Sequence, residues 1–98
     1  MDATLAHVIV RLKVGDCGVW KKVFEEAGQL RKTYGSKGVR FFRNLEDANE
    51  VVILGEYSSS DRARELFQSE EFREATKRAG VSGPPQVTFL DEAGQLPA

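Results

Sequence analysis

The sequence predicts a single α+β domain in which a four-stranded antiparallel sheet carries helices on one face. Two kinds of pattern indicate this class: apolar residues alternate in strand-like runs, and they recur at three- and four-residue spacing in helical runs. The runs follow the order strand, helix, strand, strand, helix, strand. The length of 98 residues is close to the commonest domain size. We therefore expect one domain over residues 1–98, with a core from about 6 to 91 and a short tail over 92–98.

The first strand and the first helix have distinct signatures. The segment "HVIVRLKV" (7–14) alternates valine and leucine with His7, Ile9, Arg11 and Lys13, which is the period of a strand. Asp16 is a suitable N-cap for the next segment, "CGVWKKVFEEAGQLRKTYG". Its apolar stripe predicts one amphipathic helix that ends at the glycine.

The middle of the chain predicts a β-hairpin. The strand-like runs "GVRFFRNL" and "EVVILGEY" flank the polar segment "EDAN". With a loop over residues 47–49, Phe42 pairs with Leu54, and Arg40 pairs with Glu56. A loop of another length would shift that register.

The last third predicts a second helical region and a final strand. "SSSD" offers N-caps, and Ser69 leaves open whether one helix or two follow. "GVSGPP" is expected to be a turn, and "QVTFLDE" a short strand. With right-handed crossovers, this order favours the ferredoxin-like βαββαβ arrangement, with both helices on one face of the sheet.

Composition excludes several function classes. The 14 basic and 15 acidic residues are interleaved and give a net charge of -1, which argues against a nucleic-acid partner. No apolar run is long enough to cross a membrane, and the start lacks the pattern of a signal peptide, so we expect a cytoplasmic protein. With Cys17 as the one cysteine and His7 as the one histidine, no metal site is predicted.

A family resemblance follows from the succession "DCGVWKKVFEE", "LRKTYGSKGVRFFRNLEDANEVVILGEY", "ARELFQSEEFREATKRAGVSGPP" and "VTFL". It resembles the dimeric α+β-barrel superfamily, which includes antibiotic-biosynthesis monooxygenases, small cyclase-like proteins and stress-responsive barrel proteins. The resemblance implies a homodimer in which two sheets pack face to face, leaving a small pocket on the helix-free face of each. Haem-degrading members need an axial histidine on a helix, which this chain lacks, and no cofactor is expected.

Candidate site residues lie on the helix-free face by alternation. Glu56 is the candidate base, Arg40 its cross-strand partner, and His7 a candidate proton shuttle. A structural ion pair between Arg40 and Glu56 is the alternative. The candidate ligand-binding residues on the same face are Arg11, which would anchor an oxyanion, Ile9, Phe42, Leu54 and Thr88.

Two classes of function remain open at this point. One is a cofactor-independent monooxygenase, cyclase or isomerase acting on a small aromatic or polyketide-like molecule. The other is a non-catalytic dimer that binds a small ligand or is associated with stress. The aromatic stripe of the first helix, Trp20, Phe24 and Tyr34, has two interpretations as well: a wall of an aromatic-ligand pocket, or packing of the helix on the sheet.

Overall fold

The computed structural model describes residues 5–98 and confirms the predicted fold class. One antiparallel sheet has the strand order β2-β3-β1-β4. Its strands are β1 (Ala6–Val14), β2 (Ser36–Asn44), β3 (Asp47–Tyr57) and β4 (Val81–Leu90). The helices are α1 (Cys17–Glu26), α2 (Gly28–Thr33), α3 (Ser60–Gln68) and α4 (Glu70–Arg78). Within this part of the chain, no helix has the length and apolar character to cross a membrane.

The core lies between the sheet and the helices. Alternate residues of β1 and β3 face the helices and are almost completely buried, and α1 and α3 add the large side chains of Trp20 and Leu66. The opposite face of the sheet has no helix on it. Burial therefore follows the period of 2 that the sequence shows, as expected for a sheet packed on one side only.

The first helical region is broken, whereas the sequence analysis predicted one helix. Asp16 is the N-cap, as predicted, and its Oδ1 accepts from the amides of Gly18 and Val19. The break lies at Ala27, with φ -86° and ψ 10°, directly before Gly28. Glycine is a poor helix former, so a regular helix is weakest at that position.

The second helical region contains two helices, which is the alternative that Ser69 left open. Its hydroxyl donates to the carbonyl of Leu66 at 2.7 Å and accepts from the amide of Phe72 at 3.1 Å. The same side chain thus satisfies a backbone group at the end of α3 and caps the start of α4.

The predicted hairpin register is wrong by two residues. The turn contains only Leu45 and Glu46, because the Asn44 side chain accepts from the Glu46 amide at 2.7 Å and closes the turn early. The ladder then shifts between Asn44, which lies opposite Asp47, and Arg43, which lies opposite Val51, and beyond that shift Arg40 lies opposite Leu54. Phe42 correspondingly lies opposite Val52, and because the shift is an even number, every side chain keeps its predicted face.

The segment "GVSGPP" is also not the predicted turn. β4 begins at Val81, which pairs with Val14 of β1. The ladder between β1 and β4 is irregular between the pair Lys13–Ser82 and the pair Arg11–Gln86. β4 is an edge strand, and an edge tolerates the prolines because one side of the strand needs no ladder hydrogen bonds.

Candidate functional site

Two concave regions lie on opposite faces of the sheet. The inner cavity lies between the sheet and the helices, has a volume of about 70 Å³, and is lined by apolar side chains together with Arg31, Tyr57 and Thr76. The outer hollow lies on the helix-free face, with a volume of about 540 Å³. It is lined by His7, Arg40, Leu54, Glu56, Leu90, Glu92 and their neighbours.

Aromatic rings form much of the inner cavity. Trp20 and Phe24 stack with centroids 4.8 Å apart, and Phe67 meets Tyr57 and Phe72 edge to face. The packing interpretation of the stripe on the first helix is confirmed for Trp20 and Phe24, and the same two rings line the cavity. Tyr34 does not line the cavity. The guanidinium carbon of Arg62 lies over the Tyr34 ring, 5.3 Å from the ring centroid.

Tyr57 supplies an unused hydrogen-bond donor in the inner cavity. The residue is only 3% exposed, and none of the side-chain hydrogen bonds within residues 5–98 involves its hydroxyl. Every side-chain polar atom in this range that is fully covered has a hydrogen-bond partner. Because the Tyr57 oxygen has no partner, it is not fully covered and keeps some accessible surface. Burial raises the pKa of the phenol, and nearby Arg31 partly opposes that effect. Tyr57 lines the cavity, and at neutral pH its phenol is protonated and can donate a hydrogen bond.

Arg31 places a positive charge beside Tyr57. Its Nη1 donates to the carbonyl of Phe24 at 2.7 Å, and its guanidinium lies 3.9 Å from the centroid of the Phe24 ring. Burial lowers the pKa of the guanidinium and the interaction with Tyr57 raises it, but arginine remains charged in proteins. The break at Ala27 contributes to this geometry, because Arg31 bonds to a carbonyl that an unbroken helix would use for the Gly28 amide.

The inner cavity therefore suits an aromatic molecule that carries an oxyanion. A guanidinium and a phenol hydroxyl both stabilise negative charge on oxygen, and the low polarity of the walls strengthens both interactions. No carboxylate or imidazole of residues 5–98 lines this cavity. A ligand bound there must consequently ionise by its own acidity rather than by transfer to a protein base.

The outer hollow contains the three residues predicted to be catalytic. His7 lies opposite Glu56 in the ladder, with 3.9 Å between its Nδ1 and Oε2 of Glu56. The other ring nitrogen, Nε2, lies 4.0 Å from Oε1 of Glu92 in the C-terminal segment. Leu54 and Arg40 line the same hollow, whereas the other predicted ligand-binding residues, Ile9, Arg11, Phe42 and Thr88, do not.

The predicted pair between Arg40 and Glu56 does not form, because the shifted register places Leu54 opposite Arg40. The guanidinium of Arg40 instead lies 5.3 Å from the centroid of the Phe42 ring. Arg11 pairs with Glu50, with 3.6 Å between Nη1 and Oε2. The partner of Glu56 in the described part of the chain is therefore His7.

Tyr57 and Arg31 are candidate site residues that were not predicted from the sequence. One signal for each is present in the sequence. Tyr57 continues the helix-facing alternation of Val51, Ile53 and Gly55 in β3, and among these four residues it alone ends in a polar atom. Arg31 occupies the apolar stripe of the first helical region, between Ala27 and Tyr34. A polar group at an apolar position of an amphipathic pattern indicates a buried role.

Solved structures with the same fold include several oxygenases and monooxygenases. SnoaB of Streptomyces nogalater, a cofactor-independent oxygenase, has 16% identity and a TM-score of 0.79, over 98% of this chain and 100% of its own. A Bordetella bronchiseptica protein named as an antibiotic biosynthesis monooxygenase has 21% identity and a TM-score of 0.79, over 92% and 98%. The monooxygenase ActVA-Orf6 of Streptomyces coelicolor, solved with nanaomycin D, has 22% identity and a TM-score of 0.69, over 98% and 95%.

The fold is therefore that of the antibiotic-biosynthesis monooxygenases, and the resemblance seen in the sequence is confirmed at the level of fold. No protein-family model and no curated protein matches the sequence. Fold alone does not determine a reaction.

Proposed function

We propose that the protein is a cofactor-independent oxygenase that binds a small phenolic or polyketide-like molecule in the inner cavity. The observation that carries the proposal is the Tyr57 hydroxyl, an unused donor beside the Arg31 charge in an otherwise apolar, aromatic cavity. A concave apolar site with a few convergent polar groups is the usual form of a small-molecule site. The fold shared with SnoaB, a cofactor-independent oxygenase, supports the same class.

The chemistry requires an electron-rich substrate, because without a cofactor the electrons that reduce O₂ must come from the substrate itself. Transfer of a proton to water from a benzylic CH₂ next to a carbonyl gives an enolate, whose oxygen Arg31 and Tyr57 would stabilise. Oxidation of that CH₂ to a carbonyl consumes one O₂; one oxygen atom enters the product, and the other leaves as water with the two hydrogens. The protein's part is to hold and stabilise the anion.

The inner cavity must widen to admit such a substrate. Its 70 Å³ is well below the roughly 300–1,000 Å³ typical of ligand pockets. Ala27 and Leu30 form its wall at the break between α1 and α2. We expect α2, a helix of 6 residues, to move outward when a ligand enters.

The test uses 4-nitrophenol, whose anion is coloured, and an anthrone as an oxidisable probe. The wild-type protein is expected to lower the pKa of bound 4-nitrophenol by about one unit or more, as a nearby opposite charge does. It is also expected to take up oxygen with the anthrone above the rate without protein. Arg31→Gln should abolish both effects. Arg40→Gln is the matched control, since it removes an arginine from the outer hollow and should change neither.

The outer hollow is the second candidate site, favoured by its volume of about 540 Å³ and by the proximity of His7, Arg40 and Glu56. In that case Glu56 or His7 would move the proton and Arg40 would orient the substrate. Oxygen uptake that is lost in Arg40→Gln and retained in Arg31→Gln would favour this site over the inner cavity. Binding of the probe with no oxygen uptake would favour a non-catalytic ligand-binding protein.

We also propose a homodimer formed through the helix-free face. Phe42, Leu54 and Leu90 on this face are 43%, 39% and 44% exposed, a group of apolar side chains that association would cover. Light scattering should give a mass near twice 10.9 kDa. Leu54→Glu should produce monomers. Leu45→Glu is the control, because Leu45 is fully exposed in the hairpin turn, and a monomeric wild type would refute the dimer.

A further inference from the structure

We infer that Gly55 is a positioning residue that holds the ring of Tyr57 against the sheet and so aims its hydroxyl into the inner cavity. This inference rests on the proposed function, because it concerns the orientation of a group in that site. Gly55 is buried in the middle of the sheet, on β3, and lines both the inner cavity and the outer hollow.

The backbone at Gly55 does not require glycine. The glycines with a positive φ in residues 5–98 are Gly35, Gly38, Gly80 and Gly83, and Gly55 is not among them. Gly55 pairs with Val8 on one side and with Val39 on the other, as any strand residue would. A glycine inside a strand lowers stability and often marks a close approach of another group.

The requirement is for space. A Cβ built on Gly55 would lie 3.1 Å from Cε1 of Tyr57 and 3.3 Å from Cγ1 of Val39. Both distances are shorter than ordinary van der Waals contact. The Tyr57 ring thus leans back along β3 over Gly55, while Phe67 contacts it edge to face with centroids 6.2 Å apart.

An added methyl group would push the Tyr57 ring away from the strand. Its hydroxyl would then leave its place in the cavity wall, and the space for a ligand beside β3 would shrink. Gly55 therefore sets both the direction of the donor and the depth of the cavity on this side. By this argument it is a specificity-determining position, although it has no side chain to contact a ligand.

The first measurement needs no ligand, so it can fail independently of the proposed function. In a Tyr34→Phe background, Tyr57 is the only tyrosine and its ionisation is followed by ultraviolet absorbance. Gly55→Ala should lower the pKa of Tyr57, because the displaced phenol loses part of the burial that raises it. Gly94→Ala, in the C-terminal segment with nothing within 4 Å of its added Cβ, should leave it unchanged. An unchanged or raised pKa in Gly55→Ala would overturn the inference.

The second measurement is 4-nitrophenol binding. Gly55→Ala should weaken it by about 2- to 10-fold, the range expected for a side chain forced about 30° from its rotamer. In a Tyr57→Phe background the loss should shrink, since the hydroxyl is already gone. An equal loss in both backgrounds would show that Gly55 does not act through the hydroxyl.

Val39→Ala separates the two close contacts of Gly55. In Gly55→Ala combined with Val39→Ala, the crowding against β2 is relieved and the crowding against Tyr57 remains. The changed titration should persist, and this double variant also serves if Gly55→Ala alone does not fold. Restoration of the wild-type titration by Val39→Ala would assign the effect to β2 and overturn the role of Tyr57.

Discussion

The two faces of the sheet bear polar groups in different environments. On the helix-covered face Tyr57 and Arg31 are enclosed by apolar side chains, and burial shifts the pKa of each. On the helix-free face the charged groups lie closer to water: the side chains of His7 and Glu56 are 28% and 52% exposed. Both faces bear polar side chains, but only the first buries one, Tyr57, with Arg31 half-buried near it.

This difference shows why a cluster of charged residues is a weaker guide to a site than one polar atom in an apolar wall. Charges near water are screened and contribute little to binding or stability. A hydroxyl and a guanidinium at low polarity interact strongly with any ligand that reaches them. The inner cavity is smaller than the outer hollow, yet its chemistry is more specific.

The largest expected effect compares adjacent residues of β3 that point to opposite faces. Ile53 is 8% exposed beneath the helices, and Leu54 is 39% exposed on the helix-free face. Ile53→Ala should lower the free energy of unfolding by about 2–5 kcal/mol, as for other buried aliphatic residues. Leu54→Ala should lower it by less than about 1 kcal/mol. Denaturant unfolding of both variants at low micromolar concentration measures the difference.

The same pair sharpens the dimer proposal. If the helix-free face is covered in a homodimer, the loss in free energy of unfolding caused by Leu54→Ala will rise with protein concentration, because association then contributes to stability. The cost of Ile53→Ala relative to wild type should change much less with concentration. Equal costs for the two variants at every concentration would contradict the one-sided burial of the sheet.

The fold was predictable because its signals are local and repeated. Alternation in β1 and β3 defined the buried face, and Asp16 and Ser69 marked helix boundaries by their capping chemistry. The hairpin register was not predictable in this way. It depends on the side chain of Asn44, which closes a two-residue turn, and on the irregularity in the ladder between Arg43 and Asn44, and alternation of apolar residues encodes neither feature.

The site was less predictable than the fold. Alternation correctly placed His7, Arg40 and Glu56 on one face, but their neighbours across the sheet depend on the register. The inner cavity depends on a helix break at Ala27 and on how far the Tyr57 ring leans over Gly55. A periodic pattern encodes neither the helix break nor the orientation of the ring. The proximity of Tyr57 and Arg31 is therefore visible only in the structure.

An intermediate effect is expected from the ionisation of Tyr57 at alkaline pH. Its pKa is higher in the folded state than in the unfolded chain, so the unfolded state loses its proton first. Stability from this group is therefore complete below about pH 10 and is lost as pH rises above that value, by at most about 1.4 kcal/mol per pH unit. Thermal unfolding at pH 8 and pH 11 should show a smaller alkaline loss in Tyr57→Phe than in wild type. Tyr34→Phe is the control; an equally reduced loss there would contradict the assignment to Tyr57.

The smallest effect is expected at Glu56. Its carboxylate lies 3.9 Å from His7 and its side chain is 52% exposed, so Glu56→Gln should change the free energy of unfolding by less than about 1 kcal/mol. Oxygen uptake with the anthrone probe should also be unchanged, because Glu56 does not line the inner cavity. His7→Gln removes the other half of the pair and should behave in the same way. If Glu56→Gln binds 4-nitrophenol normally but no longer takes up oxygen with the anthrone, Glu56 is a base and the reaction takes place on the helix-free face.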